Sequence, residues 1–214
     1  MTDQAAPTIP RSLFAFSVFY GGMVCIAGVL ANKQVALGPL AVEAGIFAFL
    51  MLVTASSAVA ELHGRGTAQR LVLFGFVPLI MSVLLSRLVL ALPPSHDMPA
   101  DRLGAFNMLM DSQWRIWLGG IIAYGVSTLL NVSIFSRLKA REGAGLMWLR
   151  AGIASILSQI VDTLIFITFS FYGEFPITNL LLGQMLAKVV LSAVLVPWLI
   201  YVFVGLGRKL DSAV

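Results

Sequence analysis

The stretch Arg150-Ala-Gly-Ile-Ala-Ser-Ile-Leu-Ser-Gln-Ile-Val-Asp-Thr-Leu-Ile-Phe166 decides the fold, because it carries polar groups within a long apolar run. In a helix with 3.6 residues per turn, side chains three and four positions apart lie on one face. The polar face predicted in this way consists of Ser155, Ser158, Gln159 and Asp162. An ionisable side chain in the middle of a bilayer is costly unless it has a partner or contacts water. The stretch therefore predicts a membrane span whose polar face meets a partner or lines a cavity.

The composition indicates a membrane protein. Hydrophobic residues make up 59% of the 214 residues, charged residues make up 11%, and the mean hydropathy is +0.94. A soluble domain would need many more polar residues to cover its surface. The net charge of +4 does not indicate a nucleic-acid partner, because the basic residues flank apolar runs instead of forming one polar patch.

Six apolar runs are long enough to cross a bilayer as helices. They cover about residues 13–31, 39–61, 71–92, 114–135, 150–172 and 177–204. The longest predicted connection covers residues 93–111, with a short interfacial helix over 103–110. We therefore predict an all-α integral membrane protein, a bundle of six transmembrane helices.

The distribution of lysine and arginine predicts the orientation of this bundle. Basic residues are concentrated in one alternating set of connections and tails, and such segments favour the cytoplasmic side. An even number of spans then places both termini in the cytoplasm. The predicted organisation is a disordered cytoplasmic tail over residues 1–10, a six-span domain over 11–207 and a second cytoplasmic tail over 208–214.

Lys188, in the sixth run, is the predicted partner of Asp162. At 1.5 Å per residue from the inner ends of their helices, the two lie roughly 22 Å and 24 Å deep. Either charge alone in lipid would cost at least about 2.5–3.5 kcal/mol. We predict that they approach each other directly or through water. A purely structural ion pair is the alternative, although additional polar groups such as Ser158 and Gln184 favour a cavity for a small polar ligand.

No sequence motif indicates an enzyme, a metal site or a cofactor. The chain has no HExxH sequence, no GxSxG sequence near a histidine and no Walker sequence. Its two histidines, His63 and His96, fall in connections predicted to lie on opposite sides of the membrane. The single cysteine, Cys25, excludes a disulfide within one chain.

Several motifs together resemble a known family over about residues 18–204. They are Asn32-Lys33 with Gly38-Pro39, Glu61-x-x-Gly64, Asn131-Val-Ser-Ile-Phe135, Ser158-Gln-x-x-Asp-Thr-x-x-Phe166, and Lys188 with Pro197. The chain is similar in these motifs to the vitamin uptake transporter family, also called the queuosine precursor transporter family. Ser57 and Asn131 stand where that family often carries carboxylates, which bears on any proton coupling through those positions.

The resemblance implies a six-span protein of the bacterial inner membrane. It also implies uptake of a 7-deazaguanine precursor of queuosine, either the 7-cyano or the 7-aminomethyl compound, for tRNA modification. Such a base is flat, with donors and acceptors along one edge, so amides and a carboxylate suit its edge and aromatic rings suit its faces. The candidate substrate-binding residues are Asp162, Gln159, Ser158, Lys188, Asn131, Glu61, Gln184, Asn32 and Phe166. Phe47 and Tyr124 are further candidates for stacking.

Two other functions are compatible with the same sequence. One is the substrate-binding subunit of an energy-coupling-factor vitamin importer, which would dock its coupling module through small residues such as Ala27 and Ala31. The other is a non-transporting membrane scaffold, whose polar faces would be satisfied between helices and would leave no cavity. Besides the bilayer and a small substrate, the sequence leaves open a homo-oligomer or a coupling module as partner.

Overall fold

The computed structural model describes residues 9–142 and 147–212, and 83% of the structure is helical. The helices are α1 (Arg11–Ala31), α2 (Gly45–His63), α3 (Arg65–Ala91), α4 (Ala100–Glu142), α5 (Met147–Phe171) and α6 (Thr178–Ser212). Two short strands, β1 (Gln34–Leu37) and β2 (Leu40–Glu43), form an antiparallel hairpin between α1 and α2. Most of the predicted tail at residues 1–10 lies outside the described residues, whereas the predicted second tail continues α6 as far as Ser212.

Four helices within the described residues are long and apolar enough to cross a membrane. They cover Arg11–Ala31, Gly45–His63, Gly66–Ala91 and Thr178–Val196, and a shorter apolar helix covers Ile156–Phe171. Large apolar side chains such as Phe74 and Leu73 on α3 and Trp198 on α6 are exposed, as lipid-facing residues are. These observations confirm a helical protein that crosses the membrane several times. The count of six spans and the cytoplasmic placement of both termini remain predictions.

The hairpin corrects the predicted start of the second span. We expected helix from residue 39, but Gly38, with a φ of +60°, and Pro39 form a two-residue turn, and α2 begins only at Gly45. Glycine at the first central position suits such a turn, because only glycine takes a positive φ there without strain. The hairpin also places Glu43 at the end of β2 instead of on the first turn of a helix.

Helix α4 is much longer than the predicted fourth span. Its 43 residues extend about 64 Å at 1.5 Å per residue, so the helix is longer than a bilayer is thick. We expected a separate interfacial helix over 103–110, but that segment is the first part of α4. The sequence has no proline between Ala100 and Trp114, and Asp101 lies in the first turn, where a carboxylate is favourable. The true connection is therefore confined to residues 92–99.

The helices α2 and α3 are joined by a tighter turn than expected. We predicted a loop over residues 63–70, whereas Gly64 alone separates the two helices, with a φ of +85°. Pro78 lies inside α3, as expected for the third span.

Two apolar clusters close the two ends of the bundle. The cluster nearer the start of α1, which we call the basic end, consists of Phe16, Tyr20, Ala55, Ala58, Val59, Ala68, Leu71 and Val204. The cluster at the opposite end, which we call the hairpin end, consists of Ala31, Ile116, Ile167, Phe171 and Leu180. The space between these clusters is where the polar face of α5 meets α6.

Ser12 ties three helices together at the basic end. Its Oγ donates a hydrogen bond to Asp211 Oδ2 at 2.7 Å, and its backbone N–H donates to Asp211 Oδ1 at 2.9 Å. His63 Nε2 lies 2.6 Å from the same Oγ, and it must be the donor because a hydroxyl carries one proton. The hydrogen bond from the Ser12 hydroxyl, followed by that from its backbone, lowers the pKa of Asp211.

We expect Ser12→Ala to lower the melting temperature of the purified protein by about 2–4 °C, since it removes a buried hydrogen-bonding group. The lowered pKa of Asp211 means that its stabilising effect exists above the ordinary value of 3.8 and is lost as the pH falls through the lowered value. The difference from wild type should therefore shrink in acid. Ser17→Ala is the control, because the side-chain hydrogen bond of Ser17 in the described part of the chain stays within α1, to the Leu13 carbonyl group. Equal melting temperatures for both variants would contradict this role of Ser12.

Candidate substrate-binding site

Asp162 and Lys188 form an ion pair between α5 and α6. Lys188 Nζ lies 2.7 Å from Asp162 Oδ2, with side-chain exposures of 7% and 19%. Ser127 on α4 lies beside the other oxygen, with its Oγ 3.2 Å from Asp162 Oδ1 and 3.1 Å from the Tyr124 carbonyl oxygen, so the two oxygens share its single proton. The pairing predicted from equal depth is confirmed. The carboxylate thus has a cation on one oxygen and a hydroxyl on the other, which satisfies the buried charge.

One turn before Lys188, Gln184 fixes the hairpin to α6. Gln184 Nε2 donates to Glu43 Oε1 at 2.7 Å, and the backbone N–H of Glu43 donates to Gln184 Oε1 at 3.2 Å. Both residues are almost fully buried. Because these two bonds use both ends of the amide, they hold the end of β2 against α6 and place the Glu43 carboxyl group beside the ion pair.

A cavity of about 280 Å³ lies where these elements meet. All six helices and β2 contribute to its wall, and its charged residues within the described part of the chain are Glu43, Asp162 and Lys188. Its aromatic residues are Tyr20, Phe49, Phe76, Trp117, Tyr124 and Phe166. This volume is near the lower end for small-molecule sites, and a few charged groups in an apolar wall are typical of such sites.

The Phe49 ring contacts the charged cluster directly. Lys188 Nζ lies 5.0 Å from the ring centroid, within the range of a cation–π interaction. On another part of the wall, the Tyr124 and Phe76 rings pack against each other at 5.4 Å between centroids. Aromatic side chains therefore form much of the cavity surface around the ion pair, an arrangement that suits a flat ligand.

Two buried polar atoms at the cavity have no hydrogen-bond partner within residues 9–142 and 147–212. One is Glu43 Oε2, an oxygen of the carboxyl group, and the other is Trp117 Nε1, which carries an N–H donor. A buried polar atom without a partner costs about 1–3 kcal/mol.

Comparison with known proteins identifies the chain's family. A family model described as "Putative vitamin uptake transporter" matches residues 43–202, three quarters of the chain. The chain belongs to the vitamin uptake transporter family. It is therefore a membrane transporter and not an enzyme. The match begins at Glu43, so it includes every charged residue of the cavity.

Two curated bacterial relatives carry more specific names. This transporter is 25% identical to the "Probable queuosine precursor transporter" of Bacillus subtilis (strain 168), over 85% of this chain and 80% of the relative. It is 23% identical to the "Queuosine precursor transporter" of Escherichia coli (strain K12), over 76% of this chain and 70% of the relative. No solved structure matches it.

Three of the nine predicted site residues, Asp162, Lys188 and Phe166, line the cavity of the transporter. A fourth, Gln184, supports the wall through its hydrogen bonds to Glu43. Ser158 is buried on α5 but is not among the described lining residues. The predicted polar face of α5 therefore contributes Asp162 to the cavity, while the binding role of each residue remains a prediction.

The remaining predicted site residues are not among the cavity lining, or their side chains lie outside the described residues. The backbone carbonyl group of Gln159 accepts a hydrogen bond from the Thr163 hydroxyl within α5. Asn32 caps α1, because its side-chain amide donates to the carbonyl groups of Gly28 and Val29. Glu61 is exposed near the end of α2, away from the described lining. The side chain of Asn131 lies outside the described residues.

The sequence did not indicate a binding role for Glu43, Phe49 or Trp117, although all three line the cavity. The available signal for Glu43 was an acidic residue directly after the apolar run that follows Gly38-Pro39. Phe47, suggested for stacking, is 52% exposed and lies on another face of α2 from Phe49. The aromatic residues carried no such signal, because lipid-facing and cavity-facing positions are both apolar in a membrane helix.

The cavity also bears on the two alternative functions. A scaffold with fully packed polar faces would leave no cavity, which is contrary to what is observed. Ala27 and Ala31, suggested as a docking surface for a coupling module, line the cavity instead. Neither alternative therefore has a structural observation in its favour.

Proposed function

We propose that the protein imports a queuosine precursor, a 7-deazaguanine base, across the bacterial inner membrane into the cytoplasm. The observation that carries this proposal is the 280 Å³ cavity, whose wall joins the Asp162–Lys188 pair to several aromatic rings. A flat base stacks on aromatic faces, and charged groups bind its polar edge. The printed names of the two bacterial relatives support the same class of substrate.

The charge distribution supports an orientation with both termini in the cytoplasm. Helix ends at the basic end carry Arg11, Arg208 and Lys209, and basic residues favour the cytoplasmic side. In this orientation the hairpin faces the outside. In this arrangement all six helices cross the membrane. The helices α4 and α5 do so in addition to the four long apolar helices.

The binding residues proposed for this substrate are those that line or support the cavity. Asp162 and Lys188 supply charge, and Phe166 and Phe49 supply aromatic faces. Gln184 acts through its hold on Glu43. Ser158, Gln159, Asn32 and Glu61 also remain proposed site residues, although they are not among the described lining residues. Asn131 remains proposed with them, and its side chain lies outside the described residues.

Uptake of labelled 7-cyano- and 7-aminomethyl-7-deazaguanine tests the proposal in bacteria that lack their own synthesis and transport of these compounds. We expect label to accumulate, and queuosine to appear in tRNA, only in cells that express this protein. Absence of uptake of both compounds, with the protein present in the membrane fraction, would refute the proposed function. Dependence of uptake on separately expressed ATPase subunits would instead indicate an energy-coupling-factor importer.

A further inference from the structure

The charged residues of the cavity do not balance. Glu43 and Asp162 are acidic, and Lys188 is the only basic residue among the described lining residues. Lys188 contacts Asp162 at 2.7 Å, and its charge also acts on Glu43, so one lysine serves two carboxyl groups. If both acidic groups are ionised, the wall carries one negative charge in excess.

Glu43 is also the carboxyl group with hydrogen-bonding capacity to spare. Its Oε1 accepts a hydrogen bond from Gln184, but its Oε2 has no hydrogen-bond partner in the described part of the chain. Water cannot readily replace that partner, because Glu43 is only 4% exposed. The backbone N–H of Gly45 and the charge of Lys188 both act on the Glu43 carboxyl group, although neither is a hydrogen-bond partner of Oε2. Burying a charged acceptor in this state is unfavourable, so a donor from a ligand would be strongly stabilised here.

A second oxygen lies beside this one. A Cβ built on Gly45 would lie 2.5 Å from Glu43 Oε2 and 2.7 Å from the Ala27 carbonyl oxygen, so both oxygens border the same glycine. All three residues line the cavity. An ammonium group has three N–H donors and a positive charge, which suit a carboxylate and a carbonyl oxygen placed close together.

We propose that Glu43 binds a positively charged amine on the ligand, and that the site therefore prefers an aminomethyl-substituted base to a nitrile-substituted one. This inference rests on the proposed function, because it names the preferred member of the same substrate class. The aminomethyl group is protonated at neutral pH, so it neutralises the excess charge and donates to Oε2. The nitrile is neutral and offers only an acceptor, which would face another acceptor at Glu43.

The test is competition for uptake between the 7-aminomethyl, 7-hydroxymethyl and 7-cyano compounds. The hydroxymethyl compound is close in size to the aminomethyl compound but uncharged, so the comparison isolates the charge in the wild-type protein. A hydrogen bond with a charged partner predicts a preference of about tenfold or more for the amine over both neutral compounds. No mutant is needed for this part, so folding defects cannot obscure it.

The variant Glu43→Gln then tests whether Glu43 causes the preference for the amine. The amide can still accept from Gln184, so we expect membrane abundance and melting temperature to stay close to wild type, while the preference for the amine falls to nearly equal uptake. Glu174→Gln is the matched control, because it makes the same change in an exposed residue outside the cavity. This control should keep the wild-type preference.

The outcomes separate this inference from the proposed function. A wild-type protein that takes up the nitrile better than the amine, or treats all three compounds alike, would overturn the inference while leaving import intact. So would a Glu43→Gln variant that retains the preference for the amine. Failure to take up any of the three compounds would instead refute the proposed function itself.

Discussion

Lys188→Met is expected to abolish uptake and to destabilise the protein by about 3 kcal/mol or more, because breaking a buried ion pair leaves an uncompensated charge. The lysine pairs with Asp162 at 2.7 Å, and its charge also acts on Glu43 in the same cavity wall. It also contacts the Phe49 ring, so methionine would lose the cation–π interaction while retaining most of the apolar chain. Thermal unfolding in detergent and uptake by cells measure the two effects separately.

The double variant Asp162→Asn/Lys188→Met distinguishes structural from functional loss. With both charges of the pair removed, most of the stability should return, because replacing a whole buried pair is often close to neutral. Uptake should not return if the pair binds substrate. A double-mutant cycle over the four proteins gives the coupling energy of the pair, and we expect a coupling of at least about 1.5 kcal/mol for charges this close.

Arg87→Met is the matched control for this cycle. Arg87 pairs with Asp111 at 3.0 Å, but the two side chains are 44% and 73% exposed. An exposed pair of this kind contributes about 0–1 kcal/mol, so this variant should resemble wild type. Wild-type stability of Lys188→Met would contradict the energetic importance of the buried pair, and full uptake by the double variant would contradict a substrate-binding role for it.

The ion pair could be predicted from the sequence because two simple physical constraints determine it. Charges inside a bilayer need partners, and helices with a constant rise bring Asp162 and Lys188 to the same depth. Neither constraint depends on the details of side-chain packing. The same constraints do not predict which residues of α2 line the cavity, and the structure shows that Phe49 and Ser56 do so. Helical periodicity over residues 43–61 instead favours a face that carries Thr54, which is fully buried.

The role of Glu43 could not be predicted because it depends on the hairpin. Treating residues 39–61 as one helix places Glu43 and Glu61 on the same face, as equivalent acidic residues. The turn at Gly38 and Pro39 makes the two acidic residues different. It places Glu43 in contact with Gln184, whereas Glu61 stays exposed. An apolar segment of eight to ten residues suits either a strand or a helix, and only its contacts with α6 decide between them.

Those contacts predict a second large effect, from one methyl group on α6. A Cβ on Gly183 would overlap the carbonyl oxygen of Ala41 in β2, which is backbone and cannot rotate away. We expect Gly183→Ala to destabilise the protein by about 1–3 kcal/mol, as overpacking does. It should also reduce uptake by at least about tenfold, since displacing β2 by about 1 Å moves the Glu43 carboxyl group out of its position beside the ion pair.

Gly205→Ala provides the matched control within the same helix. Apart from its chain neighbours and the backbone of its own helix, no described atom lies within 4 Å of a Cβ at that position. Alanine favours helix over glycine by about 0.5–1 kcal/mol. This variant should therefore be as stable as wild type or slightly more stable, with normal uptake. The contrast between the two glycines isolates the hairpin contact from the general effect of adding a methyl group to α6. If Gly183→Ala matched Gly205→Ala in both measurements, β2 would not be held tightly enough to position Glu43, and the amine preference would need another source.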